Sequence, residues 1–190
     1  MGGRLWQIRP FSKTAAGEFD EIIPCIGCVQ GCLGRIFAQK DAWCLVNPRT
    51  GKEGELDIKP ADKVKKVLIA GGGCAGMEAA IVAKERGHDV HLYEKTAKLG
   101  GQYYTAAIPP GKGEIYQFLI WQMNRMNKLG VKVHLNQPLT EEIVAEEKPD
   151  AIITATGGKP IMPDIPGIDK PIVTKAHDVL EEKVATGPKV

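Results

Sequence analysis

The chain has 190 residues, of which 43% are hydrophobic, and a formal net charge of +2. This length allows one ordinary domain or one domain with an appendage, and the hydrophobic content excludes wholesale disorder. The near-neutral charge gives no electrostatic case for nucleic acid or a membrane surface as a partner. The longest apolar runs have only strand length, and the polar N-terminus does not predict a signal peptide. We therefore expect a cytoplasmic, reducing location, where clustered cysteines are more often metal ligands than disulfides.

The first feature along the chain is a group of cysteines with the spacing C-x2-C-x3-C-x11-C. Its members are Cys25, Cys28, Cys32 and Cys44. Gly27 and Gly31 allow the backbone between the first three to curl tightly, so that three thiolates face one metal centre. The fourth thiolate then completes a shell of a kind that suits either zinc or an iron–sulfur cluster.

The spacing favours a [4Fe–4S] cluster over zinc. Zinc ribbons usually present two CxxC pairs, and the second pair is missing here. Histidine offers no alternative ligand nearby, because the first histidine of the chain is His88. Zinc and unligated thiols remain as alternatives. The fifth cysteine, Cys74, lies in a glycine-rich turn and is interpreted as a small, half-buried side chain.

The composition changes near residues 56–62, from an irregular stretch rich in Gly and Pro to clean strand–helix alternation. We therefore expect two parts, a cluster-binding segment over residues 1–60 and a dinucleotide-binding domain over residues 61–190. The predicted fold class is α/β, with a Rossmann-like parallel sheet that is incomplete and follows an irregular cysteine-rich segment.

A dinucleotide fingerprint opens the second part. Its predicted elements are a buried parallel strand over residues 65–70, a helix over residues 75–86 and a strand over residues 90–93. The glycine-rich turn 71–76 joins the first strand to the helix, and Glu94 ends the second strand 18 residues after Gly76. Strand, glycine turn, helix and distal acid together make the fingerprint far more specific than GxGxxG alone.

The chemistry of the fingerprint follows from its residue types. Gly71 allows the tight turn, and Gly73 allows the backbone to approach a pyrophosphate that the helix N-terminus attracts. Glu94 is able to accept hydrogen bonds from ribose hydroxyls and would repel a 2′-phosphate. The alternative is a purely structural glycine turn in an α/β protein.

The remaining elements continue the alternation. They are a helix over residues 114–129, a strand over residues 131–135, a short helix from Thr140 and a strand over residues 150–155. The helix 114–129 is amphipathic, so its aromatic and Met residues are expected in the core and not at a cofactor. Gly100-Gly101-Gln102 is interpreted as a loop with close backbone approach, and Gly157 follows the last strand.

Several stretches resemble the 2,4-dienoyl-CoA reductase family, with its bile-acid and enoate reductase relatives. They are residues 21–28, 44–48, 67–101, 152–157 and 163–167. The cysteine spacing is more similar to these reductases than to trimethylamine dehydrogenase, and the resemblance covers nearly the whole chain.

The resemblance implies a flavin-dependent NAD(P)H oxidoreductase in which this chain carries the electron-transfer part. In that family electrons pass from NAD(P)H to FAD, through a [4Fe–4S] cluster, to FMN in an old-yellow-enzyme-type TIM barrel, and then to a small-molecule substrate. Carried over, the four clustered cysteines become the cluster ligands. The implied FAD contacts are Gly71, Gly73, Gly76, Glu94, Gly101, Gln102 and Gly157.

The resemblance also implies that other parts lie outside this sequence. Arg9-Pro10-Phe11 is interpreted as the end of the barrel, and residues 187–190 as the point before the nicotinamide domain. The FMN and NAD(P)H sites are then expected elsewhere, no catalytic acid or base is expected here, and the chain alone is expected to be inactive. Two alternatives are a separate electron-transfer subunit with a barrel-bearing partner, and a non-catalytic, zinc-stabilised nucleotide-binding module.

Overall fold

A computed structural model describes residues 13–187, so the interpretation of Arg9-Pro10-Phe11 lies outside the described residues. The strands are β1 (Lys66–Ala70), β2 (Asp89–Tyr93), β3 (Lys132–His134) and β4 (Ala151–Thr154). The helices are labelled in chain order: α1 (Leu33–Phe37), α2 (Cys74–Glu85), α3 (Gly101–Ala106), α4 (Gly113–Leu129), α5 (Glu141–Glu147) and α6 (Ala176–Leu180). A 3-10 turn covers Phe19–Glu21.

The four strands form one parallel sheet in the order β3-β2-β1-β4. From β1 the chain moves outward to β2 and β3, and then returns to the other side of β1 to add β4. This order confirms the predicted fold class, a Rossmann-like α/β domain with a parallel sheet. No helix among residues 13–187 is both long and apolar enough to cross a membrane.

The core lies between the sheet and the pair α2 and α4. Val67 and Ile69 of β1 point into it, and Leu68 between them is also fully buried. Successive strand residues alternate faces, so β1 is covered on both sides, as expected of a central parallel strand. Ala80 of α2 is fully buried, and its small side chain allows the helix to pack closely on the sheet.

The predicted strands and long helices are confirmed within one or two residues at most ends. The helix predicted over residues 75–86 runs Cys74–Glu85, and the helix predicted over residues 114–129 runs Gly113–Leu129. The sequence did not predict the 3-10 turn or three of the helices, namely α1, α6 and α3, where the sequence was interpreted as a loop. The interpretation as loop was wrong because Gly100, with φ +111, turns the chain into a helix immediately after it.

Ion pairs hold the cysteine segment against the dinucleotide domain. The Arg125 guanidinium contacts Glu21 at 2.9 Å and Glu85 at 2.6 Å, and Lys128 contacts Glu21 at 2.8 Å and Asp20 at 2.6 Å. The hydrogen bond from Lys128, together with the charges of Arg125 and Lys128, lowers the pKa of Glu21. Since the Glu21 side chain is only 15% exposed, this network fixes the 3-10 turn on α4.

We expect Arg125→Met to loosen the cysteine segment, because two largely buried carboxylates lose a shared partner at a cost of about 1–3 kcal/mol. Hydrogen–deuterium exchange over residues 19–24 at neutral pH should become faster. Lys128→Met is the control and should have the smaller effect, because the Lys128 side chain is 44% exposed. Equal protection in all three proteins would contradict the prediction.

The same network should be sensitive to acid. The folded-state pKa of Glu21 lies below its ordinary value of 4.5. Its contribution to stability is therefore present above pH 4.5 and is lost as the pH falls through the lower folded-state pKa.

Candidate dinucleotide crevice and cysteine segment

The crevice lies at the carboxyl ends of β1 and β4, where the strand order reverses. Gly71 directly follows β1 with φ +108, and a Cβ built there would lie 2.4 Å from the carbonyl oxygen of Ala155. Only glycine allows this approach, so the turn after β1 rests directly on the loop after β4. Such a reversal point is where open parallel sheets bind ligands.

The N-terminus of α2 opens into the same crevice. A Cβ on Gly76 would lie 1.9 Å from the carbonyl oxygen of Gly71, so the first turn of the helix packs directly against the glycine turn. Gly73 is the N-cap residue, and no side chain caps the helix there. No atom lies within 4 Å of a Cβ built on Gly73, so its surface is open. Free N–H groups and the positive end of the helix dipole therefore suit an anionic group such as a pyrophosphate.

The chain around Gly101 forms a third side of the crevice, beside the glycine turn and the N-terminus of α2. A Cβ on Gly101 would lie 3.4 Å from the Cα of Gly73, and the N–H of Gly100 donates to the Gly72 carbonyl at 2.8 Å. The Gln102 side-chain amide donates to the carbonyl oxygen of Gly158. The structure thus brings together the glycines of three separate loops that the sequence singled out, with Gln102 linking two of the loops.

Glu94 is buried at the end of β2 and supports the glycine turn. One carboxylate oxygen accepts the N–H of Gly72 at 2.7 Å, and the other accepts the N–H of Thr96 at 2.9 Å and its hydroxyl at 2.8 Å. Burial opposes ionisation, but these donors outweigh it and lower the pKa of Glu94, which is therefore a carboxylate at neutral pH. A carboxylate has about four acceptor positions, so one remains for a further donor.

Sequence reasoning missed the partners of Glu94. Neither Gly72 nor Thr96 was singled out, although both donate hydrogen bonds to this carboxylate. The Thr96 contact is local, but Glu is not one of the residue types, Asp, Asn, Ser and Thr, whose side chains typically form such turns. The Gly72 contact depends on the pairing of β1 with β2 and has no local signal.

Local backbone contacts shape the cysteine segment. The N–H of Gly27, with φ +64, donates to the sulfur of Cys25 at 3.4 Å. A Cβ on Gly31 would lie 2.3 Å from the carbonyl oxygen of Trp43, whose N–H donates to the Gly31 carbonyl at 2.7 Å. Cys32 and Cys44 directly follow Gly31 and Trp43 in the chain, so this contact brings the fourth cysteine back towards the first three.

The donor chemistry of this segment fits a thiolate-ligated centre. All five cysteines are free, and the four in the segment are exposed or half-buried. Within residues 13–187, no three His, Cys, Asp or Glu side chains stand close enough together to hold a metal ion. Cluster binding by Cys25, Cys28, Cys32 and Cys44 therefore stays a prediction.

Comparison with known proteins bears directly on the crevice. Residues 65–186, which contain the sheet and the crevice, match the family described as pyridine nucleotide-disulphide oxidoreductase. The chain belongs to the pyridine nucleotide-disulphide oxidoreductase family. The sequence resemblance to flavin-dependent reductases is confirmed, because named reductases are among its relatives.

Two curated relatives and one solved structure give the scale of the similarity. The chain is 40% identical over 179 residues to a cinnamate reductase from Clostridium sporogenes, which aligns with 94% of this chain. It is 44% identical over 177 residues to an NADH oxidase from Thermoanaerobacter brockii, which aligns with 91% of this chain. A 2-naphthoyl-CoA reductase in complex with 2-naphthoyl-CoA superposes on 93% of the chain with a TM-score of 0.88 and 40% identity. The chain spans 27% of the length of each of these proteins.

We expect Glu94→Gln to weaken binding of the ADP half of a dinucleotide by about 1.5–3 kcal/mol, because the carboxylate that is predicted to accept a ribose hydroxyl loses its charge. Glutamine keeps the size of the side chain but has only one acceptor oxygen, so it retains either the Gly72 donor or the Thr96 donors, whereas alanine would release all of them. Calorimetric titration with ADP measures the change. Thr96→Val is the control, since it removes one donor and leaves the carboxylate. Equal ADP affinity of Glu94→Gln and the wild type would contradict a ribose role in this family member.

Proposed function

We propose that the chain is the electron-transfer part of a flavin- and iron–sulfur-dependent NAD(P)H oxidoreductase of the enoate and dienoyl-CoA reductase kind. FAD binds in the crevice, and Cys25, Cys28, Cys32 and Cys44 bind a [4Fe–4S] cluster. The observation that carries the proposal is the uncapped N-terminus of α2, opening beside Gly71 at the reversal point of a parallel sheet. The printed names of the relatives, which include reductases and an NADH oxidase, support the reaction class.

Each crevice residue has a physical role in this proposal. The turn at Gly71 and the N–H groups of α2 hold the pyrophosphate, and the open surface of Gly73 allows it to approach the backbone. The remaining acceptor position of Glu94 binds a ribose hydroxyl. Gly101, Gln102 and Gly157 form the mouth of the crevice on the two loops that the Gln102–Gly158 bond joins.

A hydride donor delivers two electrons together, whereas an iron–sulfur cluster carries one electron at a time. Bound FAD would accept the pair and release single electrons, which a bound cluster would carry. In the whole protein, FMN, NAD(P)H and the substrate bind to other parts, with the FMN in a TIM barrel of the same chain or of a partner subunit. No side chain of the present chain is assigned as a catalytic acid or base. The free thiols accord with a reducing, cytoplasmic location, which remains part of the proposal.

The deciding experiment is metal, sulfide and flavin analysis of the protein purified without oxygen. About four iron and four sulfide per chain, together with FAD, are expected for a [4Fe–4S] site. A cluster also gives broad brown absorbance that zinc does not. Stoichiometric zinc without iron would instead support a non-catalytic, zinc-stabilised nucleotide-binding module.

A further inference from the structure

Three stacked rings occupy the face of the sheet opposite α2 and α4. His91 and Tyr93 of β2 alternate with the core residues Val90 and Leu92, so their side chains point away from that core. The Tyr93 and His134 rings stack with centroids 4.3 Å apart, and the centroids of His91 and His134 are 5.5 Å apart. His91 is buried, with only 7% of the residue exposed. A buried imidazole beside a second imidazole is a titratable pair, and its protonation must change its neighbours.

The hydrogen bonds of the two imidazoles run in one direction. The Nζ of Lys132 lies 3.2 Å from Nε2 of His91, and an ammonium only donates, so Nε2 accepts there. Neutral His91 then carries its proton on Nδ1, which donates to Nε2 of His134 at 3.3 Å. His134 in turn carries its own proton on Nδ1. Both rings are therefore neutral Nδ1–H tautomers, and both hydrogen bonds join β3 to β2.

Protonation of His134 is incompatible with this order. The added proton on Nε2 of His134 would face the N–H at Nδ1 of His91, and that hydrogen bond would be lost. If His91 instead moves its proton from Nδ1 to Nε2, the new N–H displaces Lys132 and turns to Oδ2 of Asp89, 3.4 Å away. Either rearrangement removes one of the two hydrogen bonds between β3 and β2.

The surroundings of the pair favour the neutral rings. Burial lowers the pKa of His134 below its ordinary value of 6.5, and the neighbouring His91 and Lys132 lower it further. The charge of Glu147 acts in the opposite direction, but this carboxylate forms an ion pair with Lys66. Both hydrogen bonds are therefore present at pH 6.5 and above, and one is lost as the pH falls through the lower folded-state pKa. Further charged or titratable groups near this face are Asp89, Tyr93, Glu146 and Asp150.

The pairing of β3 also positions the crevice carboxylate. β3 pairs with β2 over only three residues. The carbonyl oxygen of His134 accepts the N–H of Glu94 at 2.9 Å, and the Glu94 carbonyl oxygen accepts the N–H of Gln137 at 2.9 Å. A weaker pairing of β3 with β2 would therefore loosen the backbone of Glu94, whose carboxylate accepts the N–H of Gly72 in the glycine turn.

We propose that His91 and His134 form a pH-sensitive clasp that fastens β3 to β2 and keeps Glu94 in position for a bound dinucleotide. Proton uptake by His134 opens the clasp and lowers the affinity of the crevice for the dinucleotide. The inference rests on the proposed function, because the dinucleotide must bind in the crevice. Glu94 does not itself supply this pH dependence, because its pKa lies below the ordinary value of 4.5 and it stays a carboxylate where the histidines titrate.

The test is the FAD affinity of the full-length protein, measured by equilibrium dialysis at about pH 7.5 and about pH 5.5. FAD suits the test because its phosphates do not titrate in this range. The wild type should bind FAD about fivefold more weakly at the lower pH, the effect of losing about one hydrogen bond. His134→Gln keeps an acceptor for His91 and takes up no proton, so its affinity should be the same at both pH values. His88→Gln is the matched control and should keep the wild-type pH dependence, because His88 accepts the N–H of Lys65 and lies outside the clasp.

A second measurement needs no variant with altered folding. In wild-type protein that contains isotopically labelled histidine, the ring nitrogen resonances of His91 and His134 should report Nδ1–H tautomers at about pH 7.5. An Nε2–H tautomer of either ring would overturn the inference, and so would wild-type pH dependence in His134→Gln. If that variant binds no FAD at about pH 7.5, the tautomers decide alone.

The wild type separates the two proposals. Equal FAD affinity at both pH values would overturn the clasp and leave the proposed function intact. Wild-type protein that binds no FAD at either pH would overturn the proposed function first and the inference with it.

Discussion

Gly76→Ala is expected to destabilise the dinucleotide domain by about 3 kcal/mol, at the upper end of the cost of overpacking a core. A Cβ at this position would lie 1.9 Å from the carbonyl oxygen of Gly71, which is a backbone atom and cannot rotate away. To relieve this clash, the glycine turn or the start of α2 must move, and either movement disturbs the crevice. We therefore expect the variant to lose FAD as well. Urea unfolding and the ratio of bound FAD to protein measure the two effects.

Gly73→Ala is the matched control, because it separates binding from folding. The backbone of Gly73 has φ −74 and ψ 179, which alanine adopts readily, and no atom lies within 4 Å of the added methyl group. The stability should change by less than about 0.5 kcal/mol. The methyl group would nevertheless occupy the surface that the pyrophosphate approaches, so FAD affinity should fall at least about tenfold. A Gly73→Ala protein with wild-type FAD affinity would show that FAD binds elsewhere.

Replacing any one of the four proposed cluster ligands, Cys25, Cys28, Cys32 and Cys44, by alanine is expected to abolish nearly all bound iron and sulfide. A four-thiolate shell has no spare ligand that could replace a lost thiolate. Cys32→Ala is the sharpest choice, because Cys32 follows Gly31, whose backbone pairs with Trp43 beside Cys44. Iron and sulfide analysis of anaerobically purified protein measures the loss.

Cys74→Ala is the control for the cysteine variants. The Cys74 thiol is half-buried and lies outside the cysteine segment, and burial raises its pKa to about 11, which disfavours the thiolate that metal binding requires. Its replacement should leave the iron content unchanged. Loss of iron from Cys74→Ala, or retention of full iron content in Cys32→Ala, would show that the ligand set differs from the predicted one.

The fold was predictable because its signals are local in sequence. Buried β-branched runs, a glycine turn and an amphipathic helix can each be recognised from a few neighbouring residues. The parallel sheet follows from the alternation of strands and helices. The first turn of α3 was missed for an equally local reason. Gly100 and Gly101 indicate a loop by composition, yet both take positive φ there and lead the chain into a helix.

The site was predictable only in part. The fingerprint identified Gly71, Gly76 and Glu94, and the structure places all three around one crevice. The link between Gln102 and Gly158 spans 56 residues, and the contact between Arg125 and Glu21 spans 104. Such pairs carry no local pattern, because they depend on how far each loop and helix reaches after the sheet is assembled.

The sequence by itself determined the α/β class, the glycine turn and the cysteine spacing, because backbone freedom and ligand chemistry are properties of residue types at fixed intervals. The tertiary structure alone decided how these parts meet. The order β3-β2-β1-β4 brings the loop after β4 against Gly71, and ion pairs from α4 hold the cysteine segment beside the dinucleotide domain.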